Sequence, residues 1–136
     1  MRETKPDYIA IARFRSALRA FEHAAEDAAR EAGLTPQRYL LLLMVKGAPG
    51  GAERATVNDV AARLRVEPHT ITGAVSRAEA AGLLVRERCT EDRRRMWISL
   101  TAEGDRRLAR VVGALERQRA ELVDALDAAA REVRSA

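Results

Sequence analysis

Apolar residues recur with helical spacing over most of this 136-residue chain and with strand alternation in one short stretch. Ile11, Phe14, Leu18, Phe21, Ala25 and Ala28 alternate intervals of three and four. That is a seam along a long helix, and it needs another helix to cover it. Gly33 and Leu34 stand where a helix-ending glycine and its apolar follower belong, and Thr35 with Pro36 forms a cap and first-turn pair for the next helix. This second helix, about Pro36 to Lys46, is apolar around most of its girth and is expected at the centre of the core.

Gly47, Pro49, Gly50 and Gly51 mark a flexible connector, and Ala55 to Val57 is expected to add a short strand. A third helix follows over about Asn58 to Leu64, with Asn58 as cap and Val60, Ala61 and Leu64 facing inward. After a turn at Arg65 to Glu67, Pro68 opens a fourth helix whose stripe is Ile71, Val75 and Ala78, closed by Gly82 and Leu83. Two strands, Leu84 to Cys89 and Arg95 to Leu100, flank the charged turn Thr90 to Arg94 and form a hairpin. The period of two gives Met96, Ile98 and Leu100 one face and Arg95, Trp97 and Ser99 the other. Thr101 caps a last long helix, where Leu108, Val111, Leu115, Leu122 and Leu126 form a second seam that Gln118 interrupts.

These elements make one domain, mainly α with a small β-hairpin, because a chain of this length encloses one core but not two. No apolar run approaches the roughly 18 residues that span a bilayer. Met1 to Pro6 is charged and lacks an apolar stretch, so no secretory leader is expected. The lone Cys89 leaves no intrachain disulfide framework and no multi-cysteine metal site, which fits a cytoplasmic protein. With only His23 and His69, no P-loop, no nucleophile elbow and no metal-spaced cluster, the chain carries no catalytic set, and no cofactor or metal is expected.

Charge sharpens the picture through its placement. The net charge is +4, yet between Arg63 and Arg95 eight arginines face five acids, a local excess of +3. Two short helices joined by a three-residue turn and followed by an arginine-tipped hairpin have the layout of a winged helix-turn-helix. If Ile71, Val75 and Ala78 face the core, then His69, Thr70, Thr72, Gly73, Ser76 and Arg77 face outward: short hydrogen-bonding groups, a glycine that permits close approach, and one arginine. That suits a helix laid in a DNA major groove. Arg93, Arg94 and Arg95 at the hairpin tip would reach a neighbouring minor groove or phosphates. Asp92 is expected to orient the Arg94 guanidinium through a charge-assisted hydrogen bond.

At these residues the sequence resembles the MarR family of bacterial transcription regulators. The resemblance rests on Leu34, Thr35 and Gln37; on TVNDVAARL from Thr56 to Leu64; on TITGAVSR from Thr70 to Arg77; on Gly82, Leu83 and Leu84; and on Asp92, Arg93 and Arg94 continuing to Leu100, Thr101 and Gly104. It implies a winged helix-turn-helix over residues 35–101 with dimerisation helices at 8–32 and 102–134. It also implies a homodimer on pseudo-palindromic double-stranded DNA, most often a repressor, released by a small aromatic or phenolic effector or by an oxidant. The sequence departs from the family where Arg65 replaces the usual turn glycine, Glu67 a serine cap and Gly73 a common arginine. The tail after Leu126 is also short.

Plainer readings stand beside each residue. The arginine tip alone would read as a solvated turn, Arg77 could pair with Asp59 or a hairpin acid, and His69 and Thr70 could merely cap their helix. Cys89, by strand parity, falls with Val85 away from Arg86 and Arg88, which favours a packed cysteine over an oxidation sensor. Trp97 and Tyr8 read as packing residues before ligand-pocket residues, and Gly104 as a close-packing position. The rival function is a winged-helix protein-interaction adaptor that does not bind DNA, suggested by Glu67 and Gly73.

Overall fold

A computed structural model describes residues 5–135, so most of the Met1 to Pro6 stretch of the leader expectation lies outside it. The elements run α1 (Tyr8–Glu31), α2 (Pro36–Lys46), β1 (Arg54–Ala55), α3 (Val57–Leu64), α4 (Pro68–Ala80), β2 (Leu84–Arg88), β3 (Met96–Leu100), α5 (Ala102–Ala114) and α6 (Glu116–Ser135). The sheet is antiparallel in the order β1-β3-β2. No helix among the described residues is long and apolar enough to cross a membrane.

Local chemistry ends the helices as the sequence implies. After α1, the Leu34 N–H donates to Ala29 O at 2.9 Å and the Gly33 N–H to Arg30 O at 3.0 Å, with Gly33 at φ +74°. The same pattern follows α4, where Leu83 donates to Ala78 O and Gly82 to Glu79 O, each at 3.0 Å. Each glycine takes the left-handed conformation that lets the last carbonyls find donors. Thr35 Oγ1 accepts from the Arg38 N–H, and Thr101 Oγ1 from the Gly104 N–H.

The core lies where α2 meets the sheet and helices α3 to α5. Leu41, Leu42 and Val45 are fully buried with Val60, Val75, Ile98, Leu83 and Val111. Each such side chain contributes about 1.5–3 kcal/mol of apolar burial. Strand parity is as expected in β3, where Ile98 is completely buried. On the same face of the sheet β2 presents Leu84 and Arg86, opposite Leu100 and Ile98. Arg86 is therefore turned toward α4.

Several boundaries differ from expectation. Thr56, not Asn58, caps α3: its Oγ1 accepts from the Asp59 N–H at 3.2 Å. The short strand is consequently Arg54–Ala55, because Thr56 leaves the ladder to cap. The last helix is two: Leu115, at φ −100° and 1% exposed, bends the chain between α5 and α6. Arg119 Nη2 donates to Val112 O at 3.1 Å beside the bend. The bend divides the seam, with Leu108, Val111 and Leu115 in the core and Leu122 and Leu126 only half-buried beyond it, and Gln118 interrupts it as expected, half-buried in a cleft with Phe21 and Leu122. Finally, β2 ends at Arg88; Cys89, whose N–H donates to Arg95 O at 3.0 Å, is packed as expected, but it is buried where Val85, placed on its face by parity, is 44% exposed.

Thr101 and Gly104 form a tight junction with the end of α4. Thr101 Oγ1 donates to Gly82 O at 2.6 Å, and the Thr101 N–H donates to Leu83 O at 3.0 Å. A Cβ on Gly104 would lie 2.3 Å from Leu83 O, closer than any real contact, so the glycine serves a strand-to-helix approach. Gly104→Ala is expected to destabilise the fold by about 1–3 kcal/mol through overpacking against backbone. Urea unfolding checks it, with an unchanged midpoint as the contrary result.

Candidate nucleic-acid interface

The α4 helix presents its polar side outward because Ile71, Val75 and Ala78 anchor the opposite stripe in the core. His69, Thr70, Thr72, Ser76 and Arg77 are all exposed, and Gly73 is half-buried. These residues share one exposed side. Two of them are also engaged internally. Thr72 Oγ1 donates to Pro68 O at 3.2 Å, and Ser76 Oγ accepts from Arg86 Nη2.

Arg86 did not emerge from sequence reasoning. Its guanidinium reaches Ser76 and stands 3.6 Å from Glu79 Oε1, so it joins the hairpin to α4. The signal that could have found it is the register with Ile98, which puts an arginine on the core side of β2.

Gly73 has a use of its own. A Cβ there would meet Arg77 Nη1 at 3.3 Å, so the glycine leaves room for the Arg77 side chain to lie back along α4. Arg77 lines a cleft of about 390 Å³ with Thr35, Gln37, Arg38, Leu41 and Ala74. Its guanidinium forms no ion pair with Asp59 or with a hairpin acid.

At the hairpin tip, Arg93, Arg94 and Arg95 are exposed, and none forms an ion pair with an acid among the described residues. Arg94 and Arg95 border a cleft of about 220 Å³ whose other wall is Thr56, Val57, Asn58 and Asp59 at the start of α3. Asp92 behaves differently from expectation. Its Oδ1 accepts from the backbone N–H of Arg94 at 3.0 Å, not from the guanidinium, while Asp92 O accepts from the Arg95 N–H at 3.0 Å. A carboxylate two residues upstream reaches that amide with a short side chain, whereas the arginine head extends away. Asp92 thus shapes the turn that carries the arginines.

The family departures are resolved in geometry. Arg65 adopts φ +56° and ψ +47°, so it takes the left-handed conformation the usual glycine would supply, at some cost to a residue with a Cβ. Glu67 precedes α4 without a side-chain cap hydrogen bond, and Thr70 and Ile71 donate only to its backbone carbonyl. Tyr8 is 73% exposed and does not pack within the chain. Trp97 is half-buried with the Arg54 guanidinium 4.3 Å from its ring centroid. No cluster of three or more His, Cys, Asp or Glu suited to a metal ion occurs among the described residues.

Comparison with known proteins gives a consistent result. The sequence model of the MarR family matches residues 32–95. A curated protein of Thauera aromatica, whose description assigns it to transcriptional regulation of the hcr operon, is 32% identical over 104 residues. That match takes in 76% of this chain and 60% of the relative, so the chain spans less than two thirds of that protein's length. The Mycobacterium tuberculosis regulator MosR, crystallised with DNA, is similar with a TM-score of 0.60 and 28% identity, over 81% of this chain and 77% of MosR. NadR in complex with 4-hydroxyphenylacetate shares the fold with a TM-score of 0.72 and 22% identity, over 93% of this chain and 86% of NadR.

Removing the Asp92 carboxylate should free the turn. In Asp92→Ala, amide hydrogen exchange at Arg94 is expected to accelerate while α2 amides keep their protection. Unchanged Arg94 exchange would contradict the turn-shaping role.

Proposed function

We propose that the chain is a MarR-type transcription regulator that binds a pseudo-palindromic DNA operator as a homodimer and represses transcription until a small aromatic or phenolic effector releases it. The observation that carries the reading is the exposed polar side of α4 joined through Arg86 to a hairpin whose Arg93, Arg94 and Arg95 are exposed and have no acidic partner among the described residues. In this reading His69, Thr70, Thr72, Ser76 and Arg77 face base edges and phosphates in a major groove, with Gly73 allowing close approach. The arginine tip reaches a flanking minor groove, and Asp92 sets its turn.

The second copy is expected on the N-terminal half of α1 and on α6. Tyr8, Ile9, Ile11 and Val123 are exposed there, and a groove of about 460 Å³ runs between Ala10, Ile11, Phe14, Leu126, Ala129 and Ala130. A contiguous apolar surface of this kind at the chain's ends marks an interaction site. A two-fold axis through it would repeat the reading helix on a second half-site one helical turn away. Support for an effector comes from NadR, whose ligand is a phenolic carboxylate.

Two measurements test the proposal. Arg94→Ala should weaken binding to labelled DNA from the region upstream of the protein's own gene by about 1–3 kcal/mol and reduce the salt slope by about one. Fluorescence anisotropy reads both, and wild-type affinity in the variant would remove the hairpin from the interface. An adaptor that does not use DNA would show no preference for that fragment over competitor DNA. Leu126→Glu should shift the protein from dimer to monomer in sedimentation velocity, and a dimer of unchanged strength would move the interface elsewhere.

A further inference from the structure

A second cavity lies away from the α1 and α6 groove, behind α4 and the hairpin. It encloses about 470 Å³ and is bounded by Met44 at the end of α2, Ala48, Pro49 and Ala52 of the connector, Arg54 of β1, Trp97 of β3, and the side of α3 that carries Val60 and Arg63. Its chemistry is specific. The β1–β3 register sets Arg54 opposite Ser99, on the face that also carries Trp97, and the guanidinium lies 4.3 Å from the indole centroid. Arg63 is held by one nitrogen, whose hydrogens go to Met44 O and Gly47 O at 3.3 Å each. Asp59 is the one acid among the lining residues against these two arginines, so the cavity carries a positive excess within apolar walls.

We infer that this cavity is a binding site for a planar aromatic carboxylate whose ring lies against Trp97 and whose carboxylate is met by Arg54 and Arg63, and that its occupation loosens DNA binding. The inference rests on the effector reading above and gives it a place. An indole beside a guanidinium offers a flat apolar surface and a fork matched to a carboxylate. A volume of this size accommodates a one-ring or two-ring acid. Neutral aromatics would gain the stacking but not the ion pair.

The site is coupled to both neighbours through its walls. Asp59, Val60, Ala62 and Arg63 are on α3, which packs on α4, while Trp97 is on the strand that leads out of the hairpin. A ligand between them changes the spacing of the reading helix and the arginine tip. The connector wall is in turn tied to α5, since Lys46 Nζ bridges Glu53 at 3.0 Å and Asp105 at 2.9 Å. Glu53 sits at φ +58°, so that wall holds a conformation that a side-chain-bearing residue adopts at a cost.

Trp97 is the only tryptophan, so its fluorescence reports the site directly and without DNA. Titration with benzoate is expected to give a saturable change, and benzamide is expected to bind at least tenfold more weakly. In Arg54→Gln the benzoate affinity should fall at least tenfold while benzamide is unaffected, with Arg54→Lys intermediate. Circular dichroism of each variant confirms its fold, and calorimetry on Trp97→Phe tests binding where the optical signal is lost. Equal binding of benzoate and benzamide, or no saturable binding of either, overturns the site. Labelled-DNA anisotropy reads function separately: benzoate should weaken DNA binding by wild type and not by Arg54→Gln. Benzoate binding that leaves DNA affinity unchanged overturns the coupling, whereas absence of DNA binding without benzoate overturns the regulator reading and leaves the fluorescence result to judge the site.

Discussion

The junction of Gly82, Leu83, Thr101 and Gly104 fixes how the hairpin stands on the molecule. One threonine hydroxyl donates to Gly82 O and accepts from the Gly104 N–H, while its backbone N–H takes Leu83 O. The end of α4, the start of β2, the end of β3 and the first turn of α5 therefore share one small hydrogen-bonded knot with no room for a Cβ at Gly104. Leu83 and Gly104 are buried, so their backbone groups depend on these partners and the geometry of the knot is strongly determined. The Arg86 contact with Ser76 and Glu79 then sets the remaining freedom, the lean of the hairpin toward α4.

Much of this was legible because it is local. Gly33 with Leu34, and Gly82 with Leu83, announce their helix ends through backbone conformations that few residues adopt, and Thr35 and Thr101 announce helix starts through a hydroxyl. The stripe Ile71, Val75 and Ala78 likewise fixes which side of α4 is exposed. What escaped depends on choices between near-equal partners or on contacts across the fold. Asn58 and Thr56 are both good caps, and only the end of β1 decides between them. Asp92 had a backbone amide and a guanidinium within reach of expectation, and the nearer amide wins. Arg86 looked like one more charged strand residue until pairing with Ile98 turned it inward. The bend at Leu115 has no proline to mark it. It follows from keeping Leu115 in the core while α6 packs along α1.

The modest net charge conceals an uneven field. On the end helices several arginines are matched by acids close by: Arg13 with Glu132, Arg30 with Asp27, Arg106 and Arg107 with Glu103, and Arg117 with Glu121. Exposed pairs of this kind add little stability, but they cancel charge along these helices. Hydrogen bonds from Arg106 and then Arg107 hold the Glu103 carboxyl below its ordinary range. At the hairpin tip Arg93, Arg94 and Arg95 pair with no acid among the described residues. A protein with little net charge can thus still present a concentrated positive face.

The same economy bears on regulation. A ligand shifts an equilibrium only by its differential affinity for two arrangements, so an effector site must lie where the arrangements differ. The core beneath α2 is close-packed and a poor place for such a difference, because distortion there is costly. The α3 helix is otherwise placed: it is eight residues long, it buries only Val60 and Ala61 fully, and it ends at a left-handed Arg65. It is also the wall shared by the Trp97 cavity and the α4 packing surface. A short, lightly buried helix between a cavity and α4 is the element on which the proposed ligand would act, with α2 and the sheet left in place.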